Sequence, residues 1–205
     1  MTKIMMPLAF AASLLLGAAA QAQSPANPNP AAVQGGAYVV EGNHTQVMFT
    51  VSHLGFSNFS GVFSKATGEL KLDPKTLAAT ELNVSVPVET VTTTNTTLND
   101  ELRSGDWLDA TKYPAMTFHS TKITQTGPST ANVAGELTLH GVTRPVVLKA
   151  RFIGAGMNPL DKSYTAGFEV SGEIKRAEFG VTKYVPLVSD EVHLTINAAF
   201  HKKAS

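Results

Sequence analysis

The 205-residue chain contains no cysteine. It therefore has no disulfide to staple a small fold, no thiol nucleophile and no thiolate ligand for a metal. Charge is also scarce: 16% of residues are charged, and 16 basic side chains balance 16 acidic ones. Such a balance supplies no field for capturing nucleic acid or an anionic membrane surface. The motifs of several chemistries are missing as well. There is no G-x-S-x-G nucleophile elbow, no G-x-G-x-x-G or Walker loop to cradle phosphate, and no H-x-H or H-E-x-x-H pair among the six histidines. The one long apolar run, residues 4–20, is short for a membrane span and is not followed by a stop-transfer pattern.

That run reads instead as an export signal. Lys3 is the only charge before it, and Ala20-Gln21-Ala22 supplies the small residues of an A-x-A cleavage site. With no cysteine after the run, a lipid-modified N-terminus is excluded. The expected organisation is a cleaved signal peptide over residues 1–22, a Pro/Gly-rich flexible leader over 23–36, and one folded domain over 37–203. Removing residues 1–22 takes away Lys3 and leaves 15 basic against 16 acidic residues, a net charge of −1.

What the domain has in abundance is a two-residue rhythm. Leu82, Val84, Val86 and Val88 alternate with Asn83, Ser85 and Pro87; Val192, Leu194, Ile196, Ala198 and Phe200 alternate with mostly polar neighbours. Successive side chains of a strand point to opposite faces, so each run presents one apolar face. Strands are expected over 46–52, 68–72, 82–88, 115–123, 135–139, 146–152, 165–174 and 192–200. Turns are expected at Asp73-Pro74, Gly127-Pro128, Gly141 and residues 154–159. Residues 97–108 (TLNDELRSGDWL) break the rhythm and suit one or two helical turns. Asn99 is a candidate N-cap there, with Leu98, Leu102 and Trp107 packing inward. The fold class is all-β: an antiparallel barrel of about eight strands with a short helical insertion, since closing a sheet removes its edges and creates an interior.

Phe49, Val51, Phe63, Leu82, Val84, Phe118, Leu137, Leu139, Phe152, Phe168 and Ile174 are the candidate lining residues of that interior. Periodicity leaves two interiors open, one filled by these side chains and one hollow around a ligand. No catalytic and no metal-ligating residue is assigned, and no cofactor. Asp100 and Glu101 are adjacent, and neighbours in a helix do not face each other. His53, beside Gly55 at a strand end, suits a local hydrogen bond better than catalysis.

Several stretches in order resemble the YceI-like family of exported polyisoprenoid-binding proteins. They are His53-Leu54-Gly55-Phe56-Ser57, Gly61-Val62-Phe63, Gly68-Glu69-Leu70, residues 99–104 (NDELRS), Asp106-Trp107-Leu108-Asp109, Lys112-Tyr113-Pro114, residues 135–146 (GELTLHGVTRPV), Arg176-Ala177-Glu178-Phe179-Gly180 and Ser189-Asp190-Glu191-Val192. The similarity runs from about residue 38 to 200. It implies an extended lipocalin-like barrel with a helix near its opening, located in the periplasm. It also implies an amphiphilic partner in the pore: an isoprenoid quinone, a polyprenyl phosphate or a fatty amide. Many relatives have two Phe where this chain has Trp107 and Leu108, a departure that adds one N–H donor in need of a partner. Arg144, Arg103, Arg176 and Asp106 recur within these motifs. For Arg144 two roles stand open, a fork onto carboxylates of the helical insertion or a contact with an anionic headgroup. Oligomeric state has no signal in the sequence.

Export of the full chain is expected to yield a mature protein beginning at Gln23, read by N-terminal sequencing or intact mass. A full-length chain held in the membrane fraction would contradict the cleaved signal.

Overall fold

The alternation of β-branched and polar residues is realised as strands that wind once round a common axis. The structure, a computed structural model, describes residues 24–204, so the signal expected over 1–22 lies outside the described residues. Three of the strands are interrupted. The first runs as β1 (Gly36–Val40) and β2 (Gln46–His53), the second as β3 (Ser57–Phe63) and β4 (Thr67–Leu72), the third as β5 (Glu81–Pro87) and β6 (Thr92–Thr93). β7 (Ala115–Gly127), β8 (Thr130–Leu139), β9 (Val142–Met157), β10 (Tyr164–Lys175) and β11 (Glu191–Lys202) are continuous. Neighbours are antiparallel throughout, in the order β1-β4-β5-β7-β8-β9-β10-β11. β11 then pairs back with β1 near Tyr38↔Lys202 and with β2 near Val47↔Ile196, which closes an eight-stranded barrel.

Sequence periodicity found these walls but missed β1, β3 and the two-residue β6. β1 begins on the second of two glycines, and β3 (SNFSGVF) has Ser, Asn and Gly where the rhythm asks for apolar side chains. Pro87 does end β5, as a residue with no N–H for the ladder should. The one α-helix among the described residues, α1 (Thr96–Arg103), starts one residue before the expected 97–108 stretch and ends sooner, and its N-cap is Asn95, one turn before the expected Asn99. Asn95 Oδ1 accepts from the Leu98 N–H at 3.3 Å. Asn99 is instead buried and its Oδ1 accepts from both the N–H and the hydroxyl of Thr93, each at 2.7 Å. Arg103 ties the helix to the barrel by donating to the carbonyls of Glu89 and Val91. Among the described residues no helix is long and apolar enough to cross a membrane.

The expected flexible leader is corrected for residues 24–35, which are docked. β9 outruns β8, whose last partner on it is Arg151. Asn27 takes up the uncovered edge, exchanging backbone hydrogen bonds with Ala155 at 2.9 and 3.0 Å. An open edge is a liability that pairing removes. The turn expected over residues 154–159 is corrected for the same reason: residues 154–157 remain in β9, with Gly154 and Gly156 beneath the leader. A Cβ at Gly156 would stand 2.1 Å from the Pro25 carbonyl oxygen, so only glycine admits this approach.

The leader is also held by two tyrosines. The Tyr38 hydroxyl donates to the Gln34 carbonyl at 2.5 Å, and the Tyr164 hydroxyl accepts from the Gln34 N–H at 3.2 Å. Tyr38 is wholly buried among Leu70, Leu72, Ala155, Ala166 and Phe200. That burial, with Tyr164 nearby, pushes its pKa up from 10.0 to about 12. The folded protein thus keeps a proton that the unfolded chain releases near pH 10. The stabilisation is complete below that pH and is lost as pH climbs through 12, on the order of 2–3 kcal/mol in all. Tyr38→Phe is expected to cost about 1 kcal/mol at pH 8 by leaving the Gln34 carbonyl unpaired. The gap should close or reverse by pH 11.5, as measured by urea denaturation at the two pH values. A constant gap would show that Tyr38 does not carry this pH dependence.

Candidate functional site

Inward positions of the barrel are apolar, but they do not fill it. Small and medium side chains (Val47, Val51, Val84, Val133, Val146, Ala150, Val170 and Ala198) leave a lumen of about 850 Å³. It reaches from Pro30, Ala31, Leu77 and Pro128 at the leader end to Leu98, Trp107, Tyr184 and Val188 at the helix end. Three inward glycines shape the wall. A Cβ at Gly61 would lie 2.4 Å from the Phe49 ring, and one at Gly135 would lie 2.4 Å from the Phe118 ring. A Cβ at Gly172 would lie 2.5 Å from Leu148 Cδ2. Each glycine thus lets a large neighbour lie back against the sheet instead of standing across the lumen.

The structure brings all eleven candidate lining residues to this one surface: Phe49, Val51, Phe63, Leu82, Val84, Phe118, Leu137, Leu139, Phe152, Phe168 and Ile174. Phe152, Phe168 and Phe200 stack edge to face with centroids 5.6 and 5.8 Å apart and narrow the leader end. Phe49 and Phe63, 5.6 Å apart, lie towards the helix end. Of the two interiors that periodicity left open, the hollow one is observed.

Sequence reasoning missed the contributions of the leader, the post-helix loop and the loop before β11. Pro30, Ala31 and Val33 complete the wall at one end, and Leu108, Val181, Tyr184 and Val188 at the other. These residues follow no strand period, so only the tertiary fold assigns them. The helix end is organised by the segment Arg176–Phe179. Phe179 is buried and anchors it, and Gly180, at φ +79°, turns the chain back so that the Val181 carbonyl faces Arg176. The guanidinium donates to the carbonyls of Ser189, Val181 and Val188 at 2.8–2.9 Å. Asp190 Oδ1 accepts from the Ala177 N–H at 2.8 Å and brings a negative charge near. Desolvation nonetheless outweighs it and holds the Arg176 pKa below its ordinary value. Asp106 bonds Lys183 at 2.9 Å, raises the ammonium pKa and fastens the loop before β11 to the loop after α1.

Arg144 makes no fork onto carboxylates of the helical insertion and lies off the lumen wall. It is exposed and donates to the neighbouring Thr143 carbonyl at 3.2 Å; Arg103, within the insertion, forks instead onto the carbonyls of Glu89 and Val91. His53 is exposed at the rim, where its backbone bridges to Val188. Other histidines are engaged pairwise: His140 with the Phe179 carbonyl at 3.1 Å, His44 with Glu41 at 2.6 Å, and His193 with Glu173 at 3.1 Å. Among the described residues no three His, Asp or Glu side chains gather as metal ligands would.

Comparison with known proteins agrees with this architecture. The YceI-like domain matches residues 38–200. Protein YceI of Escherichia coli O6:H1 is 40% identical over 157 residues, which cover 77% of this chain and 81% of that protein. The crystal structure of Burkholderia cenocepacia BcnA superposes with a TM-score of 0.70 at 26% identity, covering 78% of this chain and 98% of that one. A polyisoprenoid binding domain from Saccharophagus degradans shares the fold, with a TM-score of 0.62 at 14% identity and coverage of 83% and 100%. The domain match over residues 38–200 and the identity to protein YceI establish that the chain belongs to the YceI family.

Proposed function

We propose that this protein is an exported binder that sequesters or carries an isoprenoid, a quinone or polyprenyl phosphate, or a similar long-chain amphiphile, in the barrel lumen. The observation that carries the reading is the lumen itself: about 850 Å³ walled almost entirely by carbon and reaching both ends of the barrel. That volume lies in the upper part of the range of small-molecule sites. Apolar space of this kind gains nothing from water and about 0.8 kcal/mol from each CH₂ that enters it. A tail of about forty carbons would total roughly 30 kcal/mol, above the ceiling of about 20 for non-covalent affinity, so ordering of the chain offsets much of the gain. Tail burial sets affinity, the head sets selectivity, and release is slow unless a membrane or partner accepts the ligand. The apolar run of residues 4–20 with Ala20-Gln21-Ala22 supports export, and the family resemblance supports the periplasm as the destination.

A lipid-modifying enzyme would need a titratable pair within hydrogen-bond reach inside the cavity. The titratable residues on the wall are His53, Glu101, Arg176 and Tyr184, and no side-chain hydrogen bond joins any two of them. A binding protein needs only the wall.

Organic extraction of the purified protein followed by mass spectrometry is expected to release one long-chain lipid per barrel. A lipid-free barrel that also takes up no added quinone would overturn the proposal. Phe118→Asp places a carboxylate on the wall beside Gly135 and is expected to abolish loading while circular dichroism still reports the barrel. Unchanged loading of the folded variant would remove Phe118 from the contact surface.

A further inference from the structure

Among the described residues one buried side-chain nitrogen or oxygen has no hydrogen-bond partner: Nε1 of Trp107. A buried indole N–H ordinarily finds an acceptor, and leaving it without one carries a free-energy cost. Trp107 is 8% exposed and forms part of the lumen wall at the helix end. Charge of both signs lies around it: Glu101 is on the same wall and Asp190 is near Arg176, but neither accepts from the indole. The Arg176 guanidinium lies 5.5 Å from the indole centroid and is 5% exposed. Arg176 satisfies three carbonyls, but no carboxylate oxygen lies within 4 Å of it among the described residues. Lys183 Nζ stands 6.0 Å from the same ring, with its own partner Asp106 on the solvent side at 74% exposure. The opposite end of the lumen is built differently, from Phe152, Phe168 and Phe200 with Pro30 and Leu77.

We infer that Trp107 is the head-recognition residue of the lumen: its Nε1–H donates to an acceptor oxygen, carbonyl or phosphate, on the head of a long-chain lipid, beside the Arg176 cation. The ligand is thereby oriented, with its head under α1 and its tail towards the leader. This rests on the reading that the lumen takes a lipid. It assigns that lipid a chemical class, one with an acceptor oxygen on its head, and excludes a plain hydrocarbon as the preferred occupant.

The chain has one tryptophan, so a ¹H–¹⁵N spectrum of the labelled protein holds one indole signal and it reports this site alone. The full mature chain is loaded in separate samples with a ubiquinone, a polyprenyl phosphate and squalene, and loading is verified by mass spectrometry. The indole proton is expected to move downfield with the quinone or the phosphate and to stay near its lipid-free position with squalene. The oxygen-bearing lipid that moves it identifies whether the acceptor is carbonyl or phosphate. Trp107→Phe keeps an aromatic ring and removes the N–H; it is expected to weaken binding of that lipid about fivefold and leave squalene binding unchanged. An indole signal that does not move on verified loading, or that moves equally with squalene, overturns the assignment while leaving the lipid-binding reading intact. So does a signal already at its downfield position in the lipid-free protein, which would mean that a water serves as the acceptor. Failure of all three lipids to load overturns both readings.

Discussion

Backbone hydrogen bonds between the first strand and the last hold this molecule in its shape. β11 meets β1 at Tyr38↔Lys202 and β2 at Val47↔Ile196, and those pairings close an open sheet into a barrel. An open sheet must lay its apolar face on a second layer to keep it dry. A closed one already encloses that face. The inward residues are therefore released from the need to fill all the space they enclose, and a cavity becomes affordable. The same logic explains the docked leader: where β9 extends past β8, Asn27 supplies the missing neighbour and the wall stays complete.

Within that wall the choice of side chains decides between a plug and a channel. An eight-stranded barrel is just wide enough for side chains to fill. Here Val and Ala dominate the mid-section and three inward positions are glycine, so Phe49, Phe118 and Leu148 lie flat against the sheet. The two ends then differ in chemistry. Aromatic rings and prolines narrow the leader end, whereas a buried cation, an indole and the Asp106–Lys183 pair organise the helix end. A lumen with unlike ends gives an occupant with unlike ends a preferred direction.

Much of the wall was legible in the sequence, because period-2 patterning is a direct consequence of strand geometry. All eleven candidates share the lumen surface, Phe49 and Ile174 as much as Leu82 and Phe152; Phe63 alone comes from a strand, β3, that the pattern did not mark. What escaped notice lacked a period. β3 hides behind Ser57, Asn58 and Ser60, whose polar side chains are tolerated because its partner β2 fixes the register. Asn99 matched the cap composition but is used by Thr93, while Asn95 performs the capping one turn earlier. Arg144 and Arg176 looked alike as motif arginines. Only the fold shows that the first is solvated and the second is buried under three carbonyls. The leader's prolines and glycines described a chain with no core of its own, and they could not reveal that β9 would offer it one.

The seam has a further consequence, in time instead of space. It joins residue 38 to residue 202, and Lys203 N–H reaches the Ala37 carbonyl at 2.8 Å. Everything from residue 38 to residue 202 must therefore be present before the last staves can meet the first. A fragment that lacks residues 191–202 has no closed container, so an occupant finds one only where the last stave has joined the first.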